Sequence, residues 1–301
     1  MYSNKKLEKL QSYPFERLNT LLATVKPSEA HAPISLSIGE PKHKPPEFAL
    51  SVLSNKQKVG ELLSTYPATK GGQALREAIS DWLKKRFQVK TDKDREILPV
   101  NGTREALFSF AQAMLTGKAK ARVIMPNPFY QIYEGAALLA GATPYFCSSF
   151  EKNNYQQDFD SISPQTWKET ELIYVCSPGN PTGISLSDDQ YIKLIELAHK
   201  HDFCIVSDEC YSEIYLDNRN KPNSLLAVSE EMGNKNYEKC VVFHSLSKRS
   251  NLPGLRSGFV AGDADLIKPY LLYRTYHGCA MAGHVQEISS AAWSDEVHVT
   301  N

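Results

Sequence analysis

Short apolar runs, each bounded by turn-forming or charged residues, recur from residue 95 onward: REILPVNG (95–102), ARVIMP (121–126), TPYFCSS (143–149), ELIYVCSP (171–178), FCIVSDE (203–209), KCVVFHSLS (239–247) and SGFVAG (257–262). Their length and their content of Val, Ile and aromatic residues predict strands. Between them the apolar positions fall at helical spacing, predicting helices at Gly72–Phe87, from Thr103 to about Leu115, and at Phe129–Ala140. A further helix lies between ELIYVCSP and FCIVSDE, where Ser187 and Gln190 have the spacing of a capping box. An amphipathic helix is expected at Pro46–Leu53. Strands alternating with helices imply an α/β fold whose mainly parallel sheet is covered by helices on both faces.

Composition narrows the setting. The chain has 301 residues, with 34 Lys+Arg balancing 34 Asp+Glu and 42% hydrophobic residues, as in an ordinary globular protein. Zero formal net charge gives no electrostatic reason to bind nucleic acid or an anionic membrane, and neither is expected as a partner. The N-terminus, MYSNKKLEKLQSYPFERL, carries charges throughout and lacks a signal-peptide core. The six cysteines include no CxxC pair, so neither a zinc ribbon nor a redox dithiol is expected, and the reading is a cytoplasmic protein with reduced thiols.

In a doubly wound sheet, ligands gather just beyond the carboxyl ends of strands, and four segments there carry chemistry. After KCVVF comes His244-Ser245-Leu246-Ser247-Lys248-Arg249-Ser250-Asn251-Leu252-Pro253-Gly254-Leu255-Arg256. Burial or a nearby cation, with Arg249 and Arg256 close in sequence, could turn Lys248 into an amine nucleophile. The serines and Arg256 could hold a phosphate. A solvated basic loop is the plainer alternative. Second, Asp208 ends an apolar strand and Tyr211 follows: the carboxylate could hold a proton on a ring nitrogen, or simply cap a turn. Third, Asn180 in SPGNPTG is a side-chain donor or only part of a turn. Fourth, Asn101-Gly102-Thr103-Arg104 opens a helix whose first amides could cup an anion, with an ordinary N-cap at Thr103 as the alternative.

Taken together, SPGNPTG, SDECY and SLSKRSNLPGLRSGF, in this order along the chain and at this spacing, resemble the asparagine, aspartate–tyrosine and lysine motifs of the fold-type I, pyridoxal-phosphate-dependent aminotransferases of class I/II. The resemblance implies pyridoxal 5'-phosphate as cofactor, amino-acid and 2-oxo-acid substrates, and a homodimer. It implies that Lys248 bonds the cofactor aldehyde and shuttles the substrate α-proton, that Asp208 keeps the pyridine nitrogen protonated, and that Tyr211 and Asn180 hold the ring 3'-oxygen. Gly102, Thr103, Arg104, Ser245, Ser247 and Arg256 would grip the phosphate, joined by Tyr66 from the neighbouring subunit. Tyr130 in NPFYQIY would stack on the ring, with Phe129 as packing. Gly39, in SIGEP, would meet the substrate carboxylate, with Tyr130 and Asn180 also touching substrate.

The stretch YLLYRTYHGCAM (Tyr270–Met281), with LEKLQSYPFERL and LSIGEPKHKPPE, resembles the bacterial succinyldiaminopimelate aminotransferases of lysine biosynthesis. A substrate anionic at both ends calls for cations, for which Lys42, Lys44, Arg104 and Arg274 are the candidates. Residues 1–45 read as an N-terminal arm with part of a small domain, 46–275 as the large cofactor-binding domain, and 276–301 as the start of a C-terminal small domain. Members of the family continue beyond EVHVTN and carry there the arginine that clamps the substrate α-carboxylate; no arginine follows Arg274, and the chain reads as a shortened form. Two rival functions are a β-lyase on the same scaffold and a cofactor-binding module without turnover.

Overall fold

The computed structural model describes residues 4–300 except 33, 35, 37 and 218. Three helices come first: α1 (Pro14–Leu22), α2 (Glu47–Ser54) and α3 (Lys56–Leu63). Strands and helices then alternate: α4 (Gln73–Phe87), β1 (Ile97–Val100), α5 (Thr103–Met114), β2 (Arg122–Asn127), α6 (Gln131–Ala140), β3 (Thr143–Ser148), α7 (Pro164–Glu169) and β4 (Thr170–Cys176). The series continues with α8 (Asp188–His201), β5 (Cys204–Asp208), α9 (Leu225–Glu231), β6 (Cys240–Ser245), α10 (Leu246–Arg249) and β7 (Gly258–Gly262). The last helices are α11 (Ala264–His277), α12 (Gly283–Ser294) and α13 (Val297–Thr300).

All seven apolar runs became strands of one sheet, ordered β1-β7-β6-β5-β4-β2-β3. The pairs β2/β3, β2/β4, β4/β5 and β5/β6 are parallel, whereas β7 runs antiparallel to both β6 and β1. The reversal has a simple cause. Between β6 and β7 the chain contains only the short α10 and a 3-10 turn at Pro253–Leu255, too little for a helical crossover, so it turns back at the same end of the sheet.

Side chains alternate across the sheet and build two cores. On one face Ile173, Val175, Ile205, Val242 and Phe259 pack with residues of α4, α8, α9 and α12. On the other, Tyr174, Val206, Val241, Phe243 and Val260 pack with α5, α6 and α11. Burial on both faces explains the uninterrupted apolar strands, and each wholly buried aliphatic side chain contributes about 1.5–3 kcal/mol. The Ser187–Gln190 capping box forms as expected, each side chain bonding the other's backbone amide. Helix α11 has no counterpart among the expected elements. Its buried positions Ile267, Tyr270 and Arg274 have helical spacing, but one is an arginine and Pro269 lies inside the helix, so the sequence signal is broken. Among the described residues, no helix is long and apolar enough to cross a membrane.

Candidate active site

Because β4, β5 and β6 are parallel, the loops that follow them emerge at one edge of the sheet. Strand β5 ends in Asp208, only 6% exposed, whose side chain lies on the α6 face. The Tyr133 hydroxyl donates to Asp208 Oδ2 at 2.7 Å, and the Cys210 amide donates to Oδ1 at 3.3 Å. Burial pushes the Asp208 carboxyl above its ordinary range, while hydrogen bonds from Cys210 and Tyr133 pull in the opposite direction. A buried carboxylate met by the neutral donors Tyr133 and Cys210 is suited to a protonated ring nitrogen.

Beyond Asp208 the chain turns, and Asn180 Nδ2, from the loop after β4, donates to the Tyr211 hydroxyl at 3.2 Å. Burial raises the Tyr211 phenol to about 12, so it stays protonated and can donate to a ligand oxygen. Lys248 on α10 has its Nζ 5.6 Å from the centre of the Tyr211 ring, and that amine donates to the Gly39 carbonyl. Burial lowers the Lys248 pKa from the usual lysine value, increasing the neutral, nucleophilic fraction. The structure thus brings Gly39 to the lysine amine.

The anion cup forms where β1 gives way to α5. Gly102 precedes that helix with φ +84° and ψ 148°, a region essentially reserved for glycine, and a Cβ there would lie 2.3 Å from Arg256 Nη2. The bare α-carbon therefore admits the guanidinium to the N-terminus of α5, where amides and helix dipole favour an anion. Arg256 itself is in the left-handed region and donates to the Pro253 carbonyl at 2.9 Å. Ser245 Oγ accepts from the Ser247 amide at 3.1 Å and donates to Ser247 Oγ at 3.0 Å. Thr103 Oγ1 lies 3.1 Å from Cys210 Sγ, tying the cup to the turn after Asp208. Lysine amine, buried carboxylate and anion cup fit a phosphorylated pyridine aldehyde.

Tyr130 precedes α6 half-buried, its ring 5.8 Å from Tyr133 in edge-to-face contact. Burial raises its phenol to about 12. The Arg104 guanidinium lies over the Tyr13 ring at 5.6 Å, its backbone being in the first turn of α5. Tyr66 stands fully exposed. Of the cations considered for substrate, Lys42 pairs with Glu40 at 2.9 Å and Lys44 is exposed. Arg274 is corrected: it is wholly buried, binding Glu105 at 2.6 Å, the Tyr270 hydroxyl at 3.2 Å and the Cys279 carbonyl at 2.9 Å, so it fastens α11 to α5. Arg249 is not an activator of Lys248 either, since its guanidinium is enclosed by Trp82 and Trp293. The residue that sequence reasoning missed is Tyr133. Its signal was present in NPFYQIY, where it lies one helical turn after Tyr130.

Residues 32–300 match the family described as aminotransferase class I and II. The LL-diaminopimelate aminotransferase of Maridesulfovibrio salexigens is 32% identical over 262 residues, covering 87% of this chain and 65% of the relative. That of Aquifex aeolicus is 33% identical, covering 86% and 65%. The chain thus spans just under two thirds of the length of these relatives. Among solved structures, an aminotransferase from Neisseria meningitidis Z2491 is 47% identical, with a TM-score of 0.93 over 99% of this chain and 75% of that one. The aminotransferase AspB of Helicobacter pylori 26695 is 38% identical, with a TM-score of 0.90 over 97% and 75%. A probable N-succinyldiaminopimelate aminotransferase from Thermus thermophilus, at 24% identity and a TM-score of 0.76 over 87% and 68%, shares the fold. The chain belongs to the class I and II aminotransferases, a pyridoxal-phosphate-dependent family of fold type I.

Proposed function

We propose that this protein transfers an amino group between an amino acid and 2-oxoglutarate. The observation that carries the reading is the convergence of Lys248, buried Asp208 and the Gly102–Arg256 cup on one edge of the sheet. Pyridoxal phosphate, when bound, supplies an electron-withdrawing ring that takes up the charge left when the substrate α-proton departs. Around it, Asp208 holds a proton at the ring nitrogen, in surroundings where burial strengthens the charge pairing. Tyr211 and Asn180 orient the ring oxygen, and the cup with Ser245, Ser247 and Arg256 binds the phosphate. Lys248 takes the proton from the substrate α-carbon, helped by a pKa below that of ordinary lysines.

The substrate we infer is N-succinyl-LL-2,6-diaminopimelate. The resemblance of the stretch Tyr270–Met281 and the LSIGEPKHKPPE segment to succinyldiaminopimelate aminotransferases supports the N-succinyl form. The relatives named LL-diaminopimelate aminotransferase support unmodified LL-diaminopimelate as the second reading. The test is the visible spectrum of purified protein with added pyridoxal phosphate. A band should form in the parent and not in Lys248→Ala, and glutamate should bleach it. Turnover with 2-oxoglutarate is then compared for the two diaminopimelates. No band, or a band equal in Lys248→Ala, defeats the proposal. Activity without a 2-oxo-acid acceptor would instead indicate lyase chemistry.

A further inference from the structure

Lys248 rides on α10, a helix of four residues, Leu246–Arg249. A helix this short has no stability of its own, so surrounding contacts must fix the direction of its side chains. Arg249 makes a notable share of them. It is 6% exposed, with its guanidinium 5.5 Å from the centre of the Trp82 ring on α4 and 5.1 Å from that of Trp293 on α12. Nη1 donates to the Ala292 carbonyl at 2.7 Å and to Ser250 Oγ at 3.2 Å. Nη2 donates to the Asp295 carbonyl at 3.1 Å and to the Glu296 carboxylate.

The next residue is held by the same segment. Ser250 Oγ lies 2.9 Å from His298 Nε2, and His298 Nδ1 meets Asp295 Oδ2. Serine, histidine and aspartate in that order have the connectivity of a hydrolytic triad, but Ser250 is only 1% exposed and out of reach of a substrate. The arrangement is therefore a clasp: residues 292–298 close on the two residues that follow Lys248.

We propose that Arg249 is a positioning residue, through which the 292–298 clasp fixes the rotation of α10 and aims the Lys248 amine. This rests on the reading of Lys248 as the cofactor-bonding lysine. Glu296 is the partner to alter first, because its side chain is 30% exposed and replacing it opens no core.

The experiment compares the parent with Glu296→Gln, Arg249→Met, Arg249→Lys and the control Ser290→Ala, which lies on α12 outside the clasp. Pyridoxal phosphate is added and three quantities are measured: the pH midpoint of the visible band, the rate at which borohydride fixes the cofactor to Lys248, and the melting temperature without cofactor. Glu296→Gln and Arg249→Met should shift the midpoint by about half a unit and slow fixation about tenfold, the scale expected of a misaimed reacting group. Arg249→Lys should restore part of the rate, and Ser290→Ala should match the parent. If Glu296→Gln and every folded Arg249 variant keep the parental midpoint and rate while only the melting temperature falls, the clasp merely stabilises the fold and the inference is overturned alone. A parent that forms no band overturns the reading of Lys248, and the inference with it.

Discussion

Asp208 shows how a residue can be costly to the fold and useful to the chemistry. Burial raises its pKa, so the native state keeps the proton to a higher pH than the unfolded chain does. The sign follows from linkage: protein freed of cofactor loses stability as pH rises from the ordinary carboxylate range through the raised value, and carries no such penalty below that range. Asp208→Asn should therefore melt higher than the parent at pH 8 without cofactor, by about 2–4 °C for each kcal/mol relieved, with the gap closing toward pH 4. Its affinity for pyridoxal phosphate should drop at least about tenfold, as expected on losing a charge-assisted bond. Calorimetry across this pH range checks the first part, and a parent more stable than the variant at pH 8 would show that the burial penalty is absent. Lys248, Asp208, Tyr211 and Asn180 were legible in the sequence because each sits in a short segment of strand end and turn. Tyr133 was harder to assign, because although NPFYQIY places it one turn after Tyr130, its contact with Asp208 spans 75 positions of chain and is made only by tertiary packing.

At the scale of elements, the alternation that sends Asp208 to one face of β5 sends Ser207 and Glu209 to the other. Glu209 Oε1 accepts from Ser207 Oγ at 3.0 Å and from the Leu225 amide at 2.9 Å. Glu209 Oε2 lies 3.1 Å from His244 Nε2 on neighbouring β6, close but out of line for a hydrogen bond. Trp82, Phe87 and Phe259 surround the His244 ring. Replacing His244 alone by Leu leaves the buried Glu209 Oε2 facing an apolar side chain and should destabilise the fold by about 1–3 kcal/mol, whereas replacing both residues by Leu should cost less than the two single losses together. Urea titration of His244→Leu, Glu209→Leu and the double variant decides it, and a double loss equal to the sum of the two single losses would mean that the residues are uncoupled. Strands were readable because burial on both faces leaves few polar positions. The same burial hid helix α9, since its first five residues are all buried and no amphipathic pattern remains. Helix α12 lacks a side-chain cap at its start, so nothing in GHVQEISSAAWS announces its beginning.

For the whole molecule, Tyr66 offers a way to learn whether one chain suffices. It is fully exposed here, and family resemblance assigns it to a neighbouring subunit's phosphate. If two copies complete each site, Tyr66→Phe should weaken cofactor binding about tenfold at concentrations where sedimentation shows a dimer. The parent should lose affinity on dilution into monomers, and affinity independent of dilution would rule the arrangement out. The α/β class and the alternating order were legible from the spacing of the apolar runs. The direction of β7 was not, because a strand's sequence carries no arrow; only the shortness of the connection from β6 sets it.

That strand also governs when the site can exist during synthesis. Strand β1, which delivers Gly102 and Thr103, pairs only with β7, and β7 in turn pairs with β6. The first strand of the sheet must therefore wait for the last. A nascent chain that has left the ribosome only as far as Asn251 already contains Lys248, Asp208 and Asn180, yet its β1 lacks the β7 partner and its anion cup lacks Arg256. The complete cup therefore needs every residue from Gly102 through the β7 strand that ends at Gly262, so the two ends of this stretch are joined by one strand pair.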